Sequence, residues 1–376
     1  MKIDPLLTQI RLGPASPKHG FLSRLPLDLP LLGGLLVLSG IAMVVLYSAS
    51  GQDIDVLLRQ GARLLLAMAI MLGVAYIHPR HLFNASPILY LVGAVMLLLV
   101  LLVGKTSMGA QRWLDLGIIR FQPSELTKLS TPMMLAWFLS QAAPPPNLKK
   151  VLIAGALIVL PALLIAKQPD LGTAILVGSS GAAVLFLSGL SWKYLLTLFV
   201  LGAASLPVLW HYLHGYQRDR ILTLLNPEAD PLGRGYHIIQ SKIAIGSGGV
   251  GGKGWLNGSQ AHLEFLPESS TDFIFAVLAE EFGLIGCLAL LVAYFVILAR
   301  CFYIVVQAKD RYSRYLAGAL TLTFFVYIFV NIGMVIGILP VVGVPLPLVS
   351  YGGTATVTLL AGFGLLMSIQ AHQNRK

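Results

Sequence analysis

Apolar runs close to twenty residues long recur along this chain from about residue 29 to residue 370. As a helix, each is long enough to cross the ~30 Å hydrocarbon core of a bilayer. Spans are predicted near 29–50, 57–78, 86–104, 124–141, 150–167, 170–190, 193–214, 271–299, 314–340 and 347–370. The fold class is therefore all-α, a polytopic membrane protein of ten transmembrane helices. A soluble fold is excluded, because only 11% of the residues are charged, against roughly 25% in soluble domains. Residues 1–28 read as a polar tail, 29–370 as one ten-helix domain with a large loop at 215–270, and 371–376 as a second short tail. The first run is long enough to stay in the membrane as an anchor.

An even number of spans puts both tails on one side. That side carries 14 basic and three acidic residues, and the other carries 12 basic and 13 acidic. The positive-inside rule makes the first side cytoplasmic. The net charge of +10, which in a soluble protein would suggest a nucleic-acid partner, is here a topology signal, and nucleic acid drops out.

The ionisable residues inside the runs lie toward the outer side. Glu125 and Lys128 fall in the fourth run, Asp170 opens the sixth, and Asp272, Glu280 and Glu281 lie in the eighth. Such groups cost several kcal/mol unless paired or hydrated, so they are candidates for function. The 56-residue loop 215–270 is on the same face. A site opening outward follows.

Loop 105–123 presents Arg112 beside Trp113 on the side where positive charge is disfavoured. Arg112 suits a bidentate grip on phosphate oxygens, with Trp113 supporting it in the interface; ordinary interfacial anchoring is the other reading. Glu125 and Lys128 stand three apart on one helical face and can form a structural ion pair, or Lys128 can face a substrate phosphate with Glu125 orienting it. Asp170 opens a helix after Pro169, either as a substrate contact or as an acid favoured by the helix dipole. Gln122 and Gln168, each just before a proline, read as supporting residues.

A helix is predicted to begin near Thr271. Asp272, Ala276 and Glu280 would then stack on one face over about 12 Å, a column of carboxylates entering the membrane. The segment AIGSGGVGGKGW lacks the context of a nucleotide loop and reads as a flexible loop whose backbone approaches a bulky polar ligand. In GVPLPLVSYGGTA the last helix starts broken, exposing backbone groups, and Ser350 there either contacts a ligand or caps locally. Neither the histidines nor the two cysteines have metal-ligand spacing.

The strings GAQRWLDLG, FQPSELTK, QPDLGTA, YHIIQSKIAIGSGG, GKGW, FLPESSTDFIFAVLAEE and GVPLPLVSYGG, in this order, resemble the SEDS family (shape, elongation, division and sporulation), its elongation branch more than its division branch. The resemblance implies a peptidoglycan glycosyltransferase in the bacterial cytoplasmic (inner) membrane. It would polymerise lipid II on the periplasmic face by an inverting transfer that releases undecaprenyl pyrophosphate. It implies Asp272 as the essential aspartate and Arg112, Lys128 and Asp170 as site residues. It also implies support from a divalent cation, Mg²⁺ or Mn²⁺, whose ligands are unknown. The implied partners are a class B penicillin-binding protein and other membrane proteins of the rod complex. The rival reading is a flippase for the lipid-linked precursor. It would want an ionisable path reaching the cytoplasmic half, and the sequence offers none.

Overall fold

A computed structural model describes residues 26–373, apart from 108–109, 116–119, most of 192–214, 230–234 and 263–267. Helix starts are set by local chemistry. The Asp28 carboxylate accepts from the Leu31 amide at 3.0 Å, so α1 (Leu29–Ala49) begins at the tail boundary. Asp53 starts α2 (Ile54–Ala75) in the same way, and His78 with Pro79 starts α3 (Pro79–Val103). An antiparallel sheet of three short strands follows: β1 (Lys105–Ser107), β2 (Ala110–Asp115) and β3 (Arg120–Phe121). What the sequence presents as a plain loop is therefore a folded hairpin that fixes Arg112 and Trp113 on β2.

Next come α4 (Pro123–Ser140), α5 (Leu148–Ala166) and α6 (Leu171–Leu187). Loop 215–270 carries α7 (Gly215–Leu225), α8 (Tyr236–Gly248) and the short α9 (Ser259–His262). The chain ends with α10 (Ile274–Gln307), α11 (Arg311–Val335) and α12 (Thr354–Gln373). Among the described residues, α1, α2, α3, α5, α10, α11 and α12 are long and apolar enough to span a membrane. Helices α4 and α6, at 18 and 17 residues, reach about 26 Å each. The span predicted over 193–214 falls mostly outside the described residues. The core centres on α11, which is packed against α4, α6, α10 and α12 and is the most buried of the long helices.

Helix α10 is broken. It runs antiparallel to α1, from the Arg300–Asp28 ion pair (2.7 Å) at one end to the Ser48–Glu281 hydrogen bond at the other. At Gly283 its backbone turns to φ 62°, and the glycine-rich loop docks into the break. The amides of Lys253 and Gly254 donate to the carbonyls of Glu280 and Glu281 at 3.0 and 2.9 Å. The amides of Leu284 and Ile285 donate to Gly249 and Val250 at 3.0 and 3.2 Å. These bonds satisfy the groups freed by the break, which is what allows irregular backbone near the membrane. The approach leaves no room for side chains: a Cβ on Gly252 would lie 2.1 Å from the Glu281 oxygen, and one on Gly283 2.3 Å from the Gly252 nitrogen. These glycines therefore serve contact with the protein's own helix, and the reading of a flexible, ligand-facing loop is corrected.

Candidate active site

Asp272 does not lie on α10. It belongs to a turn over 268–273 that precedes the helix, and this turn is held from three directions. The Asn331 side-chain amide, on α11, donates to the Asp272 carbonyl at 2.9 Å and to the Val344 carbonyl at 2.8 Å. Ser350 Oγ accepts from the Leu346 amide at 2.8 Å and donates to the Thr271 carbonyl at 2.5 Å, while the Tyr351 amide donates to Ser270 at 2.8 Å. From α8, the His237 ring stacks on Phe273 with centroids 5.7 Å apart. These contacts pull Asp272 out of helical register. The predicted carboxylate column is thus a correction, since Asp272 and Glu280 do not share a helical face.

Glu280 has a different position. It is fully buried and pairs with Lys253 Nζ at 2.6 Å. It also accepts from Ser259 Oγ at 3.0 Å and from the Gln260 amide at 3.1 Å. All of its bonds tie the glycine loop to α10.

Around Asp272 the electrostatics favour a carboxyl that titrates near neutrality. Burial first, and the negative charge of Glu268 second, push its pKa up from 3.8 to about 6, against an opposing pull from Arg220 on α7. A carboxyl so tuned can exchange a proton under physiological conditions.

The other predicted residues form two adjoining groups. Arg112 Nη2 donates to the Pro169 carbonyl at 2.6 Å, and its Nε lies 3.8 Å from Asp170 Oδ2, buried and without a hydrogen-bond partner. Asp170 caps α6 by accepting from the Thr173 amide at 3.2 Å, and its other oxygen accepts from Gln122 Nε2 at 3.4 Å. About one turn along α4, Lys128 Nζ binds Glu125 Oε1 at 2.7 Å, with both side chains buried. Trp113 pairs in register with Lys105 across the hairpin. Gln168 donates to the Leu97 carbonyl at 3.1 Å, a bond that anchors the start of α6 to α3.

Tyr327 joins these groups to Asp272. Lys128 Nζ lies 5.4 Å from its ring centroid, and the charges of Lys128, Glu125 and Asp170 all act on its hydroxyl. Asn331 follows Tyr327 by one turn on α11, about 6 Å. On the other flank, a Cβ on Gly172, just inside α6, would lie 2.7 Å from the Val342 carbonyl, and one on Gly343 would lie 3.5 Å from Asp272 Oδ2. The segment 342–344 therefore touches both the Asp170 end of α6 and the Asp272 carboxylate. From Lys128 a narrow apolar groove of about 40 Å³ runs between α4, α11 and α12, lined by Leu129, Phe324, Tyr327, Leu359 and Phe363.

Sequence reasoning passed over Tyr327, Asn331 and Arg220. It also passed over Arg63, whose guanidinium lies 4.7 Å from the Tyr351 ring, and Gln60, which accepts from the Gly352 amide at 3.4 Å. An arginine and two amides within apolar runs were the available signal.

With this geometry in view, comparison with known proteins is decisive. The family model described as "Cell cycle protein", for FtsW, RodA and SpoVE, matches residues 23–375. The chain belongs to the FtsW/RodA/SpoVE family. It is 55% identical over 357 residues to "Peptidoglycan glycosyltransferase MrdB" of Escherichia coli (strain K12), covering 95% of this chain and 96% of that one. To the "Probable peptidoglycan glycosyltransferase FtsW" of Idiomarina loihiensis it is 37% identical, covering 87% of this chain and 80% of the relative. The elongation-type resemblance is thus the stronger. A chain from a peptidoglycan synthase complex, solved to explain coordination of polymerization and crosslinking, superposes with a TM-score of 0.81 at 33% identity, over 93% of this chain and 99% of that one. The Thermus thermophilus rod shape determining protein RodA gives a TM-score of 0.69 at 29% identity, over 93% and 97% of the two chains. This family member is a multi-pass helical membrane protein.

Proposed function

We propose that the chain is a peptidoglycan glycosyltransferase of the elongation type, and that it polymerises lipid II on the periplasmic face. The observation that carries this reading is a carboxyl of pKa about 6, Asp272, whose carbonyl is held by Asn331, one helical turn along α11 from the tyrosine that supports Lys128. Lys128 in turn stands at the head of an apolar groove. Proton acceptor, cation and an apolar surface for the lipid are the parts needed to join a sugar hydroxyl to a diphosphate-linked sugar on a lipid.

In the reaction a sugar 4-hydroxyl attacks the anomeric carbon of a second lipid-linked unit. The C–O bond forms as the bond to the diphosphate breaks, and configuration inverts. Asp272 takes the hydroxyl proton, worth ~10²- to 10⁴-fold in rate. Lys128 and the unpartnered Nε of Arg112 stabilise the charge gathering on the departing undecaprenyl pyrophosphate. Asp170 and Gln122 orient the arginine, and the lipid chain lies against the apolar side chains that line the groove. Among the described residues no group of three or more His, Cys, Asp or Glu side chains could hold a metal ion. On this reading the Mg²⁺ or Mn²⁺ implied by the resemblance would arrive with the substrate diphosphate. Crosslinking belongs to a partner, a class B penicillin-binding protein.

The test is polymer formation from lipid II by the full chain with its penicillin-binding partner. Wild-type protein should extend glycan, and a folded Asp272→Asn variant should not. If purified protein in liposomes translocated labelled lipid II without making polymer, the flippase reading would replace this one.

A further inference from the structure

At the end of the bundle away from Asp272, the starts of α3 and α11 meet the ends of α4 and α12 around a recess of about 790 Å³. Three exposed cations line it: Arg80, Lys309 and Arg311. Lys309 Nζ donates to the Gln373 carbonyl at 2.9 Å and Arg311 Nη1 to the Ala142 carbonyl at 2.8 Å. Among the described residues no carboxylate forms an ion pair with any of the three. The one acid in the lining, Asp310, is committed to capping α11, accepting from the Ser313 amide at 2.8 Å.

Two of these charges stand where helix dipoles disfavour them. Arg80 lies in the first turn of α3 and Arg311 opens α11, so both stand at positive helix ends that repel cations. Capping of helix C-termini accounts for one bond each of Lys309 and Arg311, but it explains neither Arg80 nor the recess. Two helix starts and three cations converging on one cavity suit a phosphate. Two histidine rings lie beside it: His78 and His372 pack edge-on with centroids 4.5 Å apart. The wall between them and α11 is apolar, formed by Phe83, Tyr312 and Ile369.

We propose that this recess binds the phosphate-bearing headgroup of an anionic lipid, drawn from the leaflet that the charge count assigns to the cytoplasm. The cations hold the phosphate, and the apolar wall receives the glycerol and the first methylenes. Basic pockets between transmembrane helices on that side are suited to such headgroups. The site is separate from the one that holds Asp272.

The test uses the full chain in nanodiscs of phosphatidylcholine, with or without cardiolipin or phosphatidylglycerol, and counts retained lipid by native mass spectrometry. Each lost cation should weaken anionic-lipid retention about fivefold. Arg80→Gln is the primary variant, because its side chain makes no described polar contact and folding should be unaffected. The triple variant with Lys309→Gln and Arg311→Gln should lose about a hundredfold. Undiminished retention by a folded Arg80→Gln variant and by the triple variant would overturn the proposal. So would inorganic phosphate raising the melting temperature in pure phosphatidylcholine as much as anionic lipid does, since the ligand would then be a soluble phosphate.

Discussion

Asn331 donates both hydrogens of its side-chain amide to main-chain carbonyls, one on Asp272 at 2.9 Å and one on Val344 at 2.8 Å. One side chain on the most buried helix thus sets the distance between the candidate base and the segment that touches the Asp170 end of α6. Replacing it with leucine would leave two buried carbonyls unpaired, at about 1–3 kcal/mol each. A displacement of about 1 Å at a reacting group can cost on the order of 10²-fold in rate. Asn331→Leu should therefore lower both the melting temperature and the rate of glycan polymerisation. A variant that melts early but polymerises normally would show that the clamp only stabilises.

Asp272→Asn should reduce polymerisation by ~10²- to 10⁴-fold. In wild-type protein the rate should fall on acidification through about pH 6, as the carboxylate takes up a proton. The stability effect has the opposite direction. Because the folded pKa lies above the unfolded one, wild-type stability is full below pH 3.8 and declines as pH rises to about 6. The asparagine variant escapes that loss, so thermal melts should find it more stable than wild type at neutral pH and equal in acid.

Lys128 and Glu125 admit a test that separates structure from chemistry. Lys128→Met alone strands a buried carboxylate and should cost about 3–5 kcal/mol. Combining it with Glu125→Gln removes both charges and should restore most of the melting temperature. If Lys128 meets substrate phosphate, the double variant folds but does not polymerise. Recovery of activity together with stability would assign the pair to structure.

The docked glycine loop predicts a graded response to alanine. Gly252→Ala and Gly283→Ala place a Cβ against backbone at 2.1 and 2.3 Å, and both positions have positive φ. Each should cost at least about 2 kcal/mol. Gly246→Ala, where nothing lies within 4 Å of the new Cβ, should be neutral or slightly stabilising within its helix. Melting temperatures of the three purified variants in detergent check the ranking.

The legible parts of this molecule were those that carry charge. Asp170 was read as opening a helix and does so, whereas Asp28, Asp53, Asn147 and Asp310, whose side chains accept from free amides at other helix starts, were passed over because those helices were placed from their apolar runs alone. Arg112, Lys128, Asp170 and Asp272 stood out because ionisable groups are costly near hydrocarbon. The break at Gly283 was hidden, since one glycine in an unbroken apolar run does not disclose a loop arriving from thirty residues upstream. The hairpin carrying Arg112 was missed because its strands are only three, six and two residues long. Asn331 and Tyr327 act through amide and ring contacts with distant segments, which local periodicity does not register. Ser350 was read with two options, and its hydroxyl is occupied by two main-chain groups.

The fit between Gly252 and Gly283 bears on how surveys of variants in this protein are read. Gly252 and Gly283 will resist even the smallest replacement, although neither takes part in chemistry. Intolerance mapped onto Gly248, Gly252 and Gly283 would therefore trace a joint between two pieces of main chain, and a catalytic role should be sought at positions where a change of charge matters and a change of bulk does not.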